Sequence, residues 1–446
     1  MSTFFANFVV SNNLLHLMKI KSILSAAAAT LVSLSAAAQE RIILVNEGVW
    51  QTDNGRRTYF ENGKIVSNRW FSDRNGHKLG DTPNDIVQIN DNLLAIALNW
   101  SNIVQFITPE GNAVAATEDV PNNRKIASDG GRYVYVTSYG HECTVNGRTV
   151  TFTRGFVAKI DVTTFKTVAA TEVGYEPEGI AWYKGKLFVA NTGGYAYAEG
   201  HDYEKTVDVL DAVTMKKERS VDTGKINLMG KLSQSDQYLL INSAGDHYDI
   251  HPAGIVFDCQ AVLDGKPDSE CFIVTDYPCT YSTATNDGKF MCIGSRFSYY
   301  TMGYEFCYAT IDPKVLFDTA GGDGIYERMP GTVLEDIKKF AMPYGMYVNP
   351  YTGYIYDTDA ADYASGGRMH QWDADGRHLG DWGVYINPAH FLALPPDGMT
   401  FGGMEDIIAD RPAADSTIYN LQGIPVASPV PGQLYIQNGK KFIQHD

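Results

Sequence analysis

Residues 177–191 read Pro177-Glu178-Gly179-Ile180-Ala181-Trp182-Tyr183-Lys184-Gly185-Lys186-Leu187-Phe188-Val189-Ala190-Asn191. Two apolar runs of strand length are joined by a Lys-Gly turn, the signature of an antiparallel hairpin. After an insertion the pattern resumes with Thr206-Val207-Asp208-Val209-Leu210-Asp211, turns between Ala212 and Met215, and closes toward Val221-Asp222-Thr223-Gly224. Four short strands in a unit of about 40 to 50 residues are what a propeller blade requires.

The segment before it has the same plan. Arg124-Lys125-Ile126-Ala127, a turn at Asp129-Gly130-Gly131, Tyr133-Val134-Tyr135-Val136-Thr137, Val157-Ala158-Lys159-Ile160-Asp161 and Glu172-Val173-Gly174 keep the same order. Weaker copies start at Asn84-Asp85-Ile86, Met229-Gly230-Lys231-Leu232, Tyr281-Ser282-Thr283-Ala284 and Pro343-Tyr344-Gly345-Met346. A last copy, Asn387-Pro388-Ala389-His390-Phe391-Leu392-Ala393-Leu394, has no outer strands of its own. The N-terminal run Arg41-Ile42-Ile43-Leu44-Val45-Asn46-Glu47-Gly48 supplies them, closing the ring and removing two bare sheet edges. The expectation is an all-β chain, a seven-bladed β-propeller. Leu334-Glu335-Asp336-Ile337-Lys338-Lys339-Phe340 is the best helical candidate, and it is short.

The ends of the chain read differently. Met18-Lys19-Ile20-Lys21, the apolar run Ile23 to Leu34 and Ala36-Ala37-Ala38 have the order of a secretory signal peptide, preceded by an upstream extension. Residues 1–38 are therefore assigned to extension and signal, 39–396 to the propeller, 397–414 to a linker, and 415–446 to a small β module. Export to the cell surface, the outer membrane, the periplasm or the medium follows as an expectation. It makes disulfides chemically possible, and six cysteines allow 15 pairings. No CxxC occurs, and Cys292 within Phe290-Met291-Cys292-Ile293 reads as a small core residue.

A net charge of −16 with no cluster of Lys and Arg argues against nucleic acid as a partner and favours a neutral or partly cationic ligand. The 27 tyrosines are more than a plain core needs, and tyrosine is also the residue of stacking surfaces.

The units Pro-Glu-Gly-Ile-Ala and Lys-Leu-Phe-Val-Ala-Asn resemble YVTN-type repeats of YncE-like propellers. Together with Leu44-Val45-Asn46-Glu47-Gly48, Leu79-Gly80-Asp81-Thr82-Pro83-Asn84-Asp85-Ile86 and residues 357–368, they resemble the surface propellers of Bacteroidetes. That resemblance implies a surface protein related to propellers that capture vitamin B12 and pass it to a TonB-dependent transporter of the outer membrane. The tail, Ile418-Tyr419-Asn420-Leu421-Gln422-Gly423 through Asn438-Gly439-Lys440-Lys441, resembles a type IX C-terminal sorting domain. The B12-capturing relatives resemble lipoproteins instead, which separates this chain from them.

In a four-stranded blade, the loops between strands two and three share a face with the entries into each blade. The longest insertions fall there: 138–154, 192–205, 243–254, 295–305 and 359–367. They carry Tyr139, His141, Tyr195, Tyr197, Tyr203, His247, Tyr248, His251, Phe297, Tyr299, Tyr300, Tyr304 and Tyr363. Asp85, Arg124, Glu178 and His390, at strand starts, are placed at the channel mouth. The candidate ligand-binding set is therefore Tyr139, Tyr195, Tyr197, Tyr248, Phe297, Tyr299, Tyr300, Tyr363, Asp85, Arg124, Glu178 and His390, for a corrinoid or a glycan. Equally, the loops can simply pack on one another, and the polar groups can satisfy a neighbouring blade.

No Gly-x-Ser-x-Gly, His-Glu-x-x-His or phosphate loop is present, so no catalytic residue, cofactor or metal is assigned. Asp373-Ala374-Asp375-Gly376 resembles the start of a calcium loop but lacks the downstream Glu, so it reads as a turn. His247 and His251 lie in a loop, not on a helix. Two alternatives to a binder remain. One is a metal-dependent lactonase or lyase using Glu47, Asp85, Asn191 and Asn242; the other is a structural or adhesion propeller with a blocked or polar channel.

Overall fold

In the computed structural model, the described residues are 39–401, apart from 119, 247, 276, 299–301 and 320–325, together with Leu434–Gln437 and Lys440–Ile443. Chain contacts divide the protein into residues 1–401 and 402–446. In the second unit the described residues form one hairpin, pairing Leu434 with Ile443 and Gln437 with Lys440.

The first unit is a seven-bladed β-propeller. Seven four-stranded antiparallel sheets follow one another along the chain. The innermost strands are Pro83–Asn90, Asn123–Ser128, Pro177–Tyr183, Leu228–Ser235, Tyr281–Ala284, Pro343–Val348 and Pro388–Ala393, in blades one to seven. Each neighbours the next, and the seventh returns to the first. The last blade is closed by the N-terminus: Arg41–Asn46 pairs with Pro388–Ala393 on one side and with Arg56–Glu61 on the other, and Lys64–Ser67 forms the outer edge. The incomplete last copy thus obtains its missing strands.

Period-2 alternation explains the packing. Along Arg41–Asn46, Ile42 and Leu44 face blade six, packing with Tyr356 and Met369. Ile43 and Val45 face blade one, packing with Ile86, Leu94 and Ile96. The same division places Leu239 against blade three and Leu240 against blade five. Each blade interface holds one such apolar cluster, and a fully buried Leu or Ile contributes roughly 1.5–3 kcal/mol. Every second strand is therefore apolar on both sides, which is why these strands read as continuous hydrophobic runs.

An aspartate at the end of the third strand organises the following turn in several blades. Asp161, Asp211 and Asp373 accept hydrogen bonds from backbone amides two to four residues on. In blades four and five the same position caps a short helix: Asp258 receives Gln260 N and Ala261 N, and Asp312 receives Lys314 N and Val315 N. The calcium-like Asp373-Ala374-Asp375-Gly376 is thus a turn. The helix expected near Leu334 is Val333–Ile337.

One insertion departs from expectation. Residues 295–305, read as a loop, mostly extend the strands Phe290–Ser298 and Gly303–Ile311 into a long hairpin. All six cysteines are thiols, five of them buried, and Cys292 lies in the core between blades four and five. Residues 1–38 lie outside the described residues. No helix among the described residues is long and apolar enough to cross a membrane.

Candidate functional site

In six of the seven blades the start of the inner strand pairs with the end of the second strand: Pro83 with Leu98, Asn123 with Ser138, Pro177 with Asn191, Leu228 with Ser243, Pro343 with Asp359, Pro388 with Asn46. At six of the seven entries the register also shifts, between Pro83 and Asp85, Asn123 and Ile126, Pro177 and Ile180, Met229 and Ser233, Pro343 and Gly345, and opposite Pro388. A bulge bends the strand and re-aims the side chains beside it. Glycine permits the crowding: a Cβ on Gly179 would stand 2.7 Å from the Gly230 carbonyl oxygen, and one on Gly345 2.5 Å from that of Ala389.

The bulged entries bring a charged network together at one mouth of the channel. Arg124 grips Glu178 with two bonds, of 2.9 and 3.2 Å, and its guanidinium lies 4.6 Å over the Tyr139 ring, whose hydroxyl also bonds Glu178. Lys125 Nζ donates to the Asn84 carbonyl at 2.8 Å and lies 3.9 Å from Glu178. Lys231 of blade four reaches Asp85 of blade one at 2.8 Å. In blade seven, Glu47 accepts from the Tyr344 hydroxyl at 2.6 Å and meets His390 Nε2 at 2.8 Å. Tyr281 stands beside Tyr344, with ring centroids 5.8 Å apart, so every blade contributes.

Burial alone would push the Glu178 carboxyl up, but the Arg124 and Lys125 charges outweigh it and leave it below the usual carboxylate range. Asp85 is likewise held low against its burial by Lys231 and Lys125. Burial, and then the Lys125 charge, push His390 below its ordinary value, so it is neutral at pH 7. Burial and the Glu47 carboxylate raise the Tyr344 phenol.

Access is asymmetric. The carboxylates lie underneath, with Asp85 1% and Glu178 2% exposed, whereas the side chains of Lys231 and Arg124 are 47% and 25% exposed. The accessible charged groups of this mouth are therefore cations, each paired to a carboxylate beneath it.

Asp85, Arg124, Glu178 and His390 stand in this one network. Tyr139 is buried beneath Arg124, a support rather than a contact surface. Tyr195 is exposed beside it at 5.3 Å, and Tyr363 is exposed beside Tyr344 at 5.6 Å, giving two aromatic groups on opposite sides of the floor. Tyr197, 91% exposed, lies on the short helix Ala196–Glu199, and Tyr248 is exposed on the blade-four insertion. Phe297 lies in the blade-five hairpin, with its side chain outside the described set; Tyr299, Tyr300 and His247 also lie outside the described residues.

Two members of the candidate lactonase set stand in the mouth network and two at chain crossovers. Glu47 and Asp85 face the channel, each with its own partner. Asn191 accepts from Gly174 N and donates to Thr206, and Asn242 accepts from Cys279 N, so both hold chain crossovers. Lys125, Lys231, Tyr281 and Tyr344 were not singled out from sequence. Aligning the blade entries on the residue after Pro343 and Pro177 would have found Tyr344 opposite Glu178.

No protein-family model and no curated protein matches the chain. Among solved structures, a chain of hydrazine synthase from Kuenenia stuttgartiensis is similar at 15% identity, covering 69% of this chain and 88% of that one, with a TM-score of 0.51. A functionally unknown protein from Desulfotomaculum acetoxidans follows at 11% identity, 80% and 99% coverage and a TM-score of 0.48. Apo AztD from Citrobacter koseri stands at 8%, 81% and 99%, and 0.42. At these identities the likeness is one of fold.

Proposed function

We propose that the protein is an exported ligand-binding propeller, acting at the cell surface or outside the cell, that holds a bulky polar molecule over the mouth of its channel. The observation that carries this reading is the combination at one mouth of two accessible cations, Lys231 and Arg124, with exposed Tyr195 and Tyr363 on opposite sides. Cations offer donors to an acceptor-rich ligand, and tyrosines offer planes and hydroxyls at low entropic cost. A corrinoid, with a flat macrocycle, amide acceptors and a phosphate, meets both demands; a glycan is the next candidate. The resemblance to Bacteroidetes surface propellers supports the same choice and implies an outer-membrane TonB-dependent transporter as the recipient. Binding rather than catalysis is favoured because the accessible mouth groups are already ion-paired.

A second reading is a structural or adhesion module, favoured by the Lys231–Asp85 bridge across the channel. Calorimetric titration of the purified chain with cyanocobalamin, alongside a glycan array, separates them. Saturable binding weakened by Lys231→Met and Tyr195→Ala supports the binder. Absence of heat at high micromolar corrinoid removes that ligand, and an empty array as well leaves the adhesion module.

A further inference from the structure

A second constellation sits on the same face, over blades two and three. Glu176 precedes Pro177 and has a left-handed backbone, φ 43°, that turns its carboxylate under the blade-three insertion, where it is 1% exposed. In that insertion the helix Ala196–Glu199 is stopped by Gly200 in the left-handed conformation, so Glu199 and His201 flank a tight turn. The ligand atoms of Glu176, Glu199 and His201 all lie within 4.8 Å of one another.

His201 is fixed in place. Its ring stacks on Tyr175 at 3.9 Å and 10°, and the Arg154 guanidinium lies over the same tyrosine at 4.9 Å. Nδ1 is 3.0 Å from the Asp202 carbonyl oxygen. A carbonyl only accepts, so Nδ1 is the donor there and Nε2 is the ring nitrogen left for a second partner. Nε2 is shut off from solvent without a hydrogen-bond partner, and it faces Glu176 Oε2 at 3.3 Å. An imidazole nitrogen and a carboxylate oxygen at that separation are bridged by a proton or by a cation. Glu176 Oε2 receives one backbone bond, from Tyr195 N at 3.1 Å. His141 Nε2, from the blade-two insertion, lies 4.0 Å from Glu199.

The geometry points to a binding site for a divalent transition-metal cation of the zinc class, held by Glu176, Glu199 and His201 with His141 as fourth ligand. Imidazole with carboxylate suits zinc, cobalt or manganese and disfavours calcium, which takes oxygen alone. Ligand atoms around tetrahedral zinc stand about 3.4 Å apart at bonds near 2.1 Å, so the exposed Glu199 and His141 close the set by small side-chain movements. The hydrogen bond from His201 to a backbone carbonyl is the orienting contact that metal-binding histidines use. Because Tyr195 N bonds Glu176 and the Tyr195 ring meets Tyr139, an occupied site ties the blade-three insertion, with Tyr195 and Tyr197, to the channel mouth.

A second trio, His370, His378 and Asp381, lies on the two outer strands of blade six, with His370 half-buried and stacked on Phe340 and Asp381 paired to Arg368. It serves as the internal control. The chelator-stripped full chain is titrated with zinc by calorimetry and with cobalt by visible absorption, without any organic ligand, so the outcome is independent of the corrinoid test. One equivalent at micromolar affinity or tighter is expected, weakened at least about tenfold by Glu199→Gln and by His201→Ala and unchanged by His378→Ala. Glu199 is at the surface, so its variant keeps the fold, checked by near-ultraviolet circular dichroism. No zinc bound at millimolar concentration, or binding indifferent to Glu199→Gln and His201→Ala, overturns the site and leaves Glu176 and His201 as an ion pair only.

Discussion

Lys231 Nζ of the fourth blade lies 2.8 Å from Asp85 Oδ1 of the first, so one ion pair spans the channel between blades on opposite sides of the ring. Asp85 also accepts from Ile86 N and from Ile126 N of the second blade. Its charge therefore ties three blades together at the mouth. Lys231→Met leaves that buried carboxylate with Lys125 as its remaining cation and is expected to cost about 1–3 kcal/mol at pH 7, discounted toward the lower figure because Lys231 is half-exposed. Asp85 is held below its ordinary value, so its contribution is present above the unfolded pKa of about 4 and fades as pH falls through the folded one. Urea denaturation at pH 7 should separate the variant from the parent, and at pH 3 the gap should narrow.

Asp357 predicts the opposite slope. Both of its carboxylate oxygens are buried without a side-chain partner in the second strand of blade six, and burial pushes the carboxyl well up. The folded chain keeps this proton where the unfolded chain has released it. This group therefore lowers stability as pH rises above about 4. Asp357→Val, an apolar replacement suited to a strand, should be more stable than the parent at pH 8, with a smaller difference at pH 4. A variant less stable at pH 8 would show a hidden partner.

Arg57 is fully buried in the second strand from the rim of blade seven. Only its Nη2 is satisfied, by the Pro109 carbonyl at 3.1 Å, while Nε and Nη1 have no partner, and burial pulls the guanidinium down to about 9. An uncompensated cation in the interior destabilises. Arg57→Met, similar in length and apolar, is expected to raise the thermal midpoint, by a free energy of about 1–3 kcal/mol. A lowered midpoint in a calorimetric scan would mean that the aliphatic stem's packing outweighs the charge.

The closure of the ring can be tested directly. Leu44 sits in the strand that joins the N-terminus to Pro388–Ala393, backed by Phe60, Tyr356 and Phe391. Leu44→Ala should cost about 2–5 kcal/mol as an unfilled cavity. Deleting residues 39–67 removes three strands of blade seven and exposes the edge of Pro388–Ala393. Loss of a single cooperative unfolding transition is expected, and a deletion that still unfolds as one unit would show that the ring does not need this closure.

Much of the fold was legible because each blade repeats one pattern. Ile126-Ala127 and Ile180-Ala181 open equivalent strands, each followed in phase by an apolar second strand, and the broken last copy pointed to its partner at residues 41–48. Asp85, Arg124, Glu178 and His390 could be placed at one mouth by the same phase. Lys125 and Lys231 could not, because the entry bulges shift the alternation by a residue or more, and a period-2 reading then assigns a side chain to the wrong face. The blade-five insertion was misread because its polar, aromatic composition suits a hairpin as well as a loop.

The sequence by itself determined the propeller, its blade number and the joining of its two ends, since these follow from local periodicity repeated until a ring must close. The tertiary structure alone decided which charges meet. Lys231 and Asp85 are 146 residues apart, and His201 and Glu176 are brought together by a left-handed residue and a glycine-stopped helix. Such pairings depend on distances across a closed ring and on the burial that strengthens them, and neither is a property of any one stretch of chain.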